Sequence, residues 1–243
     1  MTGIRTVANY VGAPQVTSWF VADDSARAPT GMIMSGDDPY WGGREYMYVY
    51  AAGSIAQFAA VAISASLVSG KMRIEATEVA NTANLGRSLG VAMVGASLGQ
   101  YIWVCLSGLT PIKSGASVSA DTAFGITAAG TVGAISNGKQ VLNARNVLAA
   151  TTTVAKANCV ANSSSYKLQV PNSNGWFIGA YLSGTGIASG TTVVSIAPNG
   201  TEVTLSAATT AVVSGTVTAT YNNSTVYYNV AYINRPFAQG QVA

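Results

Sequence analysis

Alternation of apolar and polar residues along the chain predicts β-strands in several segments. In residues 71–76 (KMRIEA) apolar side chains alternate with charged ones, so Met72, Ile74 and Ala76 are expected to face a core. Residues 100–106 (QYIWVCL) are apolar on both faces, which is typical of a central strand. Residues 45–50 (EYMYVY) have the aromatic and β-branched content that strands favour. The alanine-rich residues 51–68 leave one helix open as an alternative, and we expect at most one or two short helices overall.

The second half of the chain differs from the first in amino-acid composition. Residues 157–221 are rich in Ser, Thr, Asn and Val, with short alternating runs and frequent turn residues, which predicts a small β-sandwich. Asn-Gly pairs at residues 137–138 and 199–200 each predict a tight hairpin. Residues 225–233 are again rich in aromatic and β-branched side chains, as in the first half. The sequence therefore predicts an all-β fold in which a core domain, residues 44–156 plus 222–243, carries an inserted β-sandwich lobe, residues 157–221.

Residues 1–43 are punctuated by Gly, Pro and Asp, which leaves little room for regular structure. They nevertheless carry six large apolar side chains: Trp19, Phe20, Met32, Ile33, Met34 and Trp41. We expect an extended N-terminal arm that packs on its own core or on a neighbouring subunit. Because ordering the backbone costs about as much as burying these side chains returns, we expect the arm to order fully only in an assembly. Its removal should then leave the core folded.

Charged residues make up only 9% of the chain, against roughly a quarter in an average domain. Such a surface can press against another neutral surface at little desolvation cost, so the composition indicates assembly through protein contacts. The net charge of +3 is scattered without any basic run, which excludes a nucleic-acid partner. Two long uncharged stretches, residues 46–70 and 88–112, contain too much Gly and Ser for membrane spans.

The chain contains no histidine, which excludes Ser-His-Asp and Cys-His catalysis and His-bearing metal sites. Cys105 and Cys159 lie in apolar stretches and are expected to be buried, reduced thiols, as in a protein assembled in a cytoplasm. Five acids lie in or beside the arm: Asp23, Asp24, Asp37, Asp38 and Glu45. They could bind a cation, but turn and cap roles are the preferred interpretation. We therefore expect no enzyme, and assign no catalytic, cofactor-binding or metal-binding residue.

Two stretches resemble proteins of tailed phages. The first has the motifs EYxYVxA at residues 45–51, IAQxxAV at 55–61, GVA at 90–92, GQYxWV at 99–104, VSAD at 118–121 and AGTV at 129–132. It resembles phage head decoration (cement) proteins. The second, LSGTGIASGTTV at residues 182–193 with VTLSAA at 203–208, is similar to a β module of phage virion proteins.

The resemblance implies a β-barrel or β-tulip-like core and a structural role. The protein would be made in the host cytoplasm and lie on the outer capsid surface of the virion. There it would bind the major capsid protein and stabilise the shell. The resemblance also implies a symmetric homo-oligomer, with a trimer favoured.

An alternative function is a head or tail fibre component that binds host surface glycans through the inserted lobe. Aromatic side chains can stack on sugars, and Trp176, Phe177 and Tyr181 lie in a loop-rich part of the lobe. The same three residues can instead form its core, which is the preferred interpretation, or contact another subunit. An adhesin requires them to be exposed, whereas a cement protein does not.

Overall fold

The computed structural model describes residues 5–6, 19–38, 40–223 and 225–240. Over these residues the chain forms seventeen strands and no helix, so the predicted all-β fold is confirmed. None of the described residues lies in a helix that could cross a membrane. The chain divides into two compact units. We call Thr6–Asp37, Gly43–Ala149 and Tyr228–Ala243 the barrel unit, and Met1–Arg5, Asp38–Gly42 and Ala150–Tyr227 the lobe unit.

The larger sheet contains eleven strands. They are β1 (Arg5–Thr6), β2 (Ile33–Asp38), β3 (Gly42–Ala51), β4 (Ala60–Val68), β5 (Lys71–Glu78), β6 (Leu89–Ala92), β7 (Tyr101–Ser114), β8 (Gly125–Ala128), β9 (Thr131–Gly133), β10 (Val141–Leu148) and β17 (Tyr227–Ala238). Five of them pair in a closed ring, in the order β3, β5, β4, β6, β7 and back to β3. Only β3 and β5 run parallel within this ring. The ring makes the core domain a β-barrel, and the open helix alternative for residues 51–68 is wrong, because they form β4 and the turns before it.

The barrel interior is narrow because small and β-branched side chains fill it. The buried cluster consists of Val49, Ala51, Ile55, Ala59, Val61, Ala76, Ala92, Ala96, Ile102, Val104 and Leu106. Strands β6 and β7 approach so closely that a Cβ placed on Gly90 would lie 2.3 Å from Cγ1 of Val104. The closure of the ring therefore depends on a residue without a side chain at this position.

The described part of the N-terminal arm packs on the barrel of its own chain. Trp19 is buried, with its ring centroid 4.1 Å from that of Tyr46 and 4.7 Å from that of Trp103. Asp23 accepts a hydrogen bond of 2.8 Å from the Tyr48 hydroxyl and exchanges backbone hydrogen bonds with Tyr101. The expectation that the arm orders only in an assembly is therefore wrong for residues 19–37, because aromatic stacking and hydrogen bonds hold them. Residues 7–18 lie outside the described part of the chain.

The lobe unit contains a six-stranded antiparallel sheet. Its strands are β11 (Thr153–Ala161), β12 (Lys167–Gln169), β13 (Tyr181–Ser183), β14 (Val193–Ile196), β15 (Glu202–Leu205) and β16 (Val213–Thr220). The sheet order is β13, β16, β11, β12, β15, β14. Gly179 and Ala180 directly precede β13. The Gly179 amide donates a hydrogen bond to the Val193 carbonyl, and the Val193 amide donates one to the Ala180 carbonyl, which joins the β13 edge of the sheet to the β14 edge. The strands thus form one curled, closed sheet in place of the two facing sheets expected for a sandwich.

The lobe begins and ends at different residues from those predicted. Strand β11 continues past residue 156, where the sequence analysis places a boundary, and pairs with β16 on both sides of an irregularity between Lys156 and Cys159. After β16, the Asn222 side chain donates a hydrogen bond of 2.6 Å to the carbonyl of Ala150. These contacts hold both ends of the lobe together, so the unit extends over Ala150–Tyr227. Strand β17 then pairs with β10 of the barrel unit.

Candidate protein-contact surface

The hairpin of β4 and β5 extends beyond the barrel ring. Strand β6 pairs only with Ala60–Ala62 of β4, and β3 pairs only with Glu75 and Ala76 of β5. Past these contacts Ile63 still bonds to Ser88 and Ile74 to Thr30, and beyond them the two strands pair with each other up to Val68 opposite Lys71. Ser69 and Gly70, with φ of 50° and 74°, form the two-residue turn. We call residues 63–74 the ribbon.

One face of the ribbon is apolar and exposed. Leu67 and Met72 are cross-strand partners, and their exposed fractions are 70% and 66%. Ala65, opposite Ile74, continues this face toward the barrel. Large apolar side chains exposed side by side indicate a contact surface for another molecule.

The opposite face of the ribbon is polar, yet its charged groups are mostly covered. The Arg73 guanidinium lies 3.6 Å from the centroid of the Tyr50 ring, and its Nη2 lies 2.6 Å from Oε1 of Glu75. Ser66 also donates a hydrogen bond to Glu75. The hydrogen bonds from Ser66 and Arg73 lower the pKa of Glu75, so the carboxylate stays charged within this network. The network lies on the outer side of the barrel wall, so the apolar face continues the inner side, where Val61 and Ala76 are buried. It is exposed at Leu67 and Met72 because the hairpin extends beyond the ring.

The sequence prediction for residues 71–76 is confirmed at the base of the ribbon, where Ala76 is buried in the core and Ile74 packs against it. It is wrong at the tip. Met72 was expected in a core and is exposed, whereas Arg73 and Glu75 were expected in water and are half-buried. Alternation gives the two faces of a strand but not how far the strand extends beyond the barrel. Residues 60–68 carry no charge, so the sequence of β4 does not mark where its burial ends.

A groove of about 420 Å³ continues the apolar face at the base of the ribbon. Its apolar lining comes from both sides: Ile63 and Ile74 on the ribbon, and Met47, Leu89, Leu106 and Pro236 on the barrel. Arg235 also lines the groove, and its Nη2 lies 3.3 Å from a carboxylate oxygen of Glu45. Ribbon face and groove together form a largely apolar surface suited to binding another protein.

The acids considered as cation ligands are used within the chain. Asp23 accepts hydrogen bonds or ion pairs from Tyr48 and Arg27, and Asp24 accepts a hydrogen bond of 2.8 Å from Gln100. Asp37 is exposed, and the side chain of Asp38 lies outside the described residues. Among the residues that the structure describes, no three His, Cys, Asp or Glu side chains come together to hold a metal ion. The positions of Asp23 and Asp24 support a bracing role between the arm and the barrel.

Both cysteines are free and buried. Burial raises the pKa of the Cys105 thiol to about 11, and it also raises the pKa of Cys159. A thiol with a raised pKa is protonated at neutral pH, and the thiolate is the nucleophilic form. Neither residue is therefore placed for nucleophilic chemistry.

The aromatic residues considered for sugar binding do not form an exposed platform. Trp176 and Phe177 are fully buried, and Tyr181 is half-buried. The Trp176 indole donates a hydrogen bond of 2.9 Å to the carbonyl of Val154, and the Phe177 ring packs 4.8 Å from that of Tyr221. These side chains form the core of the lobe.

No protein-family model, curated protein or solved structure matches this chain. Function is therefore inferred from the geometry of the chain, in which the ribbon and its groove are the most distinctive surface.

Proposed function

We propose that this chain is a structural virion protein that binds the outer surface of a phage capsid and stabilises the shell. The observation that carries the proposal is the exposed apolar face of the ribbon, centred on Leu67 and Met72. The low charge of the whole chain supports it, because a neutral surface loses little hydration on contact. The resemblance of roughly residues 44–148 to decoration proteins favours a capsid among possible assemblies.

The energetics of such a contact follow from the exposed side chains. Full burial of a Leu or Met side chain contributes about 1.5–3 kcal/mol. Each side chain would therefore strengthen binding roughly tenfold to a hundredfold, since 1.4 kcal/mol corresponds to a factor of ten. A protein that binds only the assembled shell stabilises that shell by mass action. No observation favours the glycan-binding alternative, because Trp176 and Phe177 are buried.

The proposal is tested with heads of the phage whose genome encodes this chain, prepared without the protein. Purified protein is added and its occupancy is measured by cosedimentation. Leu67→Ser should weaken binding about tenfold or more. Leu98→Ser is the matched control, because Leu98 is exposed to nearly the same extent, 67%, outside the ribbon.

Salt provides a second criterion. Since apolar contact dominates, about 1 M salt should not release the bound protein. Failure of the wild-type protein to bind the heads, or equal binding by Leu67→Ser, would refute the proposal. Release by salt would show that ion pairs hold the complex, which also contradicts it.

A further inference from the structure

The outer edge of β4 carries backbone groups without a partner in the chain. Ile63 donates a hydrogen bond of 2.9 Å to the carbonyl of Ser88, on the side of β4 away from β5. In an antiparallel strand, alternate residues direct both backbone groups to the same side, so Ala65 and Leu67 point the same way as Ile63. Over the described residues, no backbone hydrogen bond reaches Ala65 or Leu67 on this side. Two N–H and two C=O groups are thus open for pairing.

This edge lacks the usual protection against another strand. Exposed edges are normally blunted by charged residues, prolines or covering segments. Residues 60–68 contain no charge and no proline. The opposite edge of the ribbon, on β5, carries Lys71 and Arg73, and the Ile74 amide donates 3.0 Å to the Thr30 hydroxyl. Of the two edges of the ribbon, the β4 edge is thus the one that carries no charged residue.

We propose that the β4 edge pairs antiparallel with the β4 edge of a second copy of this chain, about a two-fold axis at Ser66. The free length is residues 64–68, since Ser88 occupies the position next to Ile63. Only the register centred on Ser66 uses all five residues. Ala65 then lies opposite Leu67 of the partner subunit, which makes four backbone hydrogen bonds about the axis.

The side chains of the two β4 strands are compatible with this register. A large Leu67 faces a small Ala65 across the junction, and no like charges are opposed on either strand. The contact uses backbone edges, so the apolar faces of the two ribbons remain open and become one four-stranded surface. A two-fold contact gives a dimer, in contrast to the trimer that the family resemblance favours. This inference concerns the chain by itself and does not depend on capsid binding.

Site-specific crosslinking tests the register. At the axis, the two Ser66 residues form a non-hydrogen-bonded pair with Cα atoms about 4.5 Å apart, within the range of a disulfide. Ser66→Cys should therefore yield a covalent dimer under mild oxidation on a non-reducing gel. Ser64→Cys is the matched control on the same strand face. Its two copies would lie roughly 13 Å apart, too far to join. The native Cys105 and Cys159 are buried and do not interfere.

Sedimentation velocity without capsids tests the contact itself. The wild-type chain should sediment at twice its mass of 24.7 kDa. Ala65→Pro removes an outward N–H without breaking a bond to β5, so it should be monomeric. Met72→Pro makes the same change on the opposite edge and should remain dimeric. A monomeric wild-type chain, a dimeric Ala65→Pro variant, or equal crosslinking through residues 64 and 66 would overturn the inference. If Ala65→Pro fails to fold, the cysteine pair decides.

Discussion

Trp19 should be essential to the stability of the barrel unit, although it lies in a segment rich in turn residues. Its side chain is only 3% exposed and stacks against Tyr46 and Trp103. Replacing a buried Trp by Ala typically costs about 3–5 kcal/mol, because both the transfer free energy and the packing contacts are lost. For a domain of this size, each kcal/mol lowers the melting temperature by roughly 2–4 °C. We therefore expect Trp19→Ala to lower the Tm by about 6–20 °C.

The assay is differential scanning calorimetry of the full chain, with near-UV circular dichroism as a second signal. The matched control is Val21→Ala, two residues away in the same segment, because Val21 is 53% exposed. Its effect should stay below about 0.5 kcal/mol, as for most surface substitutions. A Trp19→Ala variant that melts within about 2 °C of wild type, with an unchanged aromatic spectrum, would show that the arm does not pack on the barrel as described.

Three further outcomes are expected. Gly90→Ala should destabilise the barrel by about 2 kcal/mol or more in urea unfolding, because the new Cβ would overlap Val104; Gly53→Ala, whose Cβ would meet nothing within 4 Å, should be nearly neutral. The Cys105 thiol should resist alkylation at pH 8 in the folded protein and react once the chain is unfolded in urea, because burial raises its pKa to about 11; labelling of the folded chain at the unfolded rate would contradict this. Replacing residues 150–227 by a short turn should leave a folded barrel with one cooperative melting transition, and an unfolded product would show that the barrel needs the lobe.

Strand identity was predictable wherever the local pattern was strong. The buried run at residues 100–106 lies in β7, and the Asn199-Gly200 turn joins β14 to β15. The other Asn-Gly pair does form a turn, with Gly138 at φ 72°, but the expected hairpin is wrong. Strand β9 pairs with β7 and β8, and β10 pairs with β17. Turn residues determine a local bend, whereas the strand partner depends on distant segments that the local pattern does not contain.

The candidate site was harder to predict, for a related reason. The sequence shows that residues 71–76 have one apolar and one charged face. It does not show that Tyr50 lies beneath Arg73 and holds the charged face against the barrel. That contact joins residues twenty-three positions apart through the parallel pairing of β3 and β5. The exposure of Leu67 and Met72 depends likewise on where β3 and β6 stop pairing with the hairpin, which is seen only in the folded chain.

The ends of the segment Ala150–Tyr227 lie where two neighbouring strands of the barrel would otherwise be joined, which has a consequence for the use of this protein. Leu148, at the end of β10, is the cross-strand partner of Val230 in β17. A whole folded unit thus occupies the place of an ordinary hairpin turn. Any domain with neighbouring termini, which are common, could be exchanged there as a cassette. Related genes could then diversify the lobe while keeping the barrel, and foreign domains could be displayed on it by simple replacement.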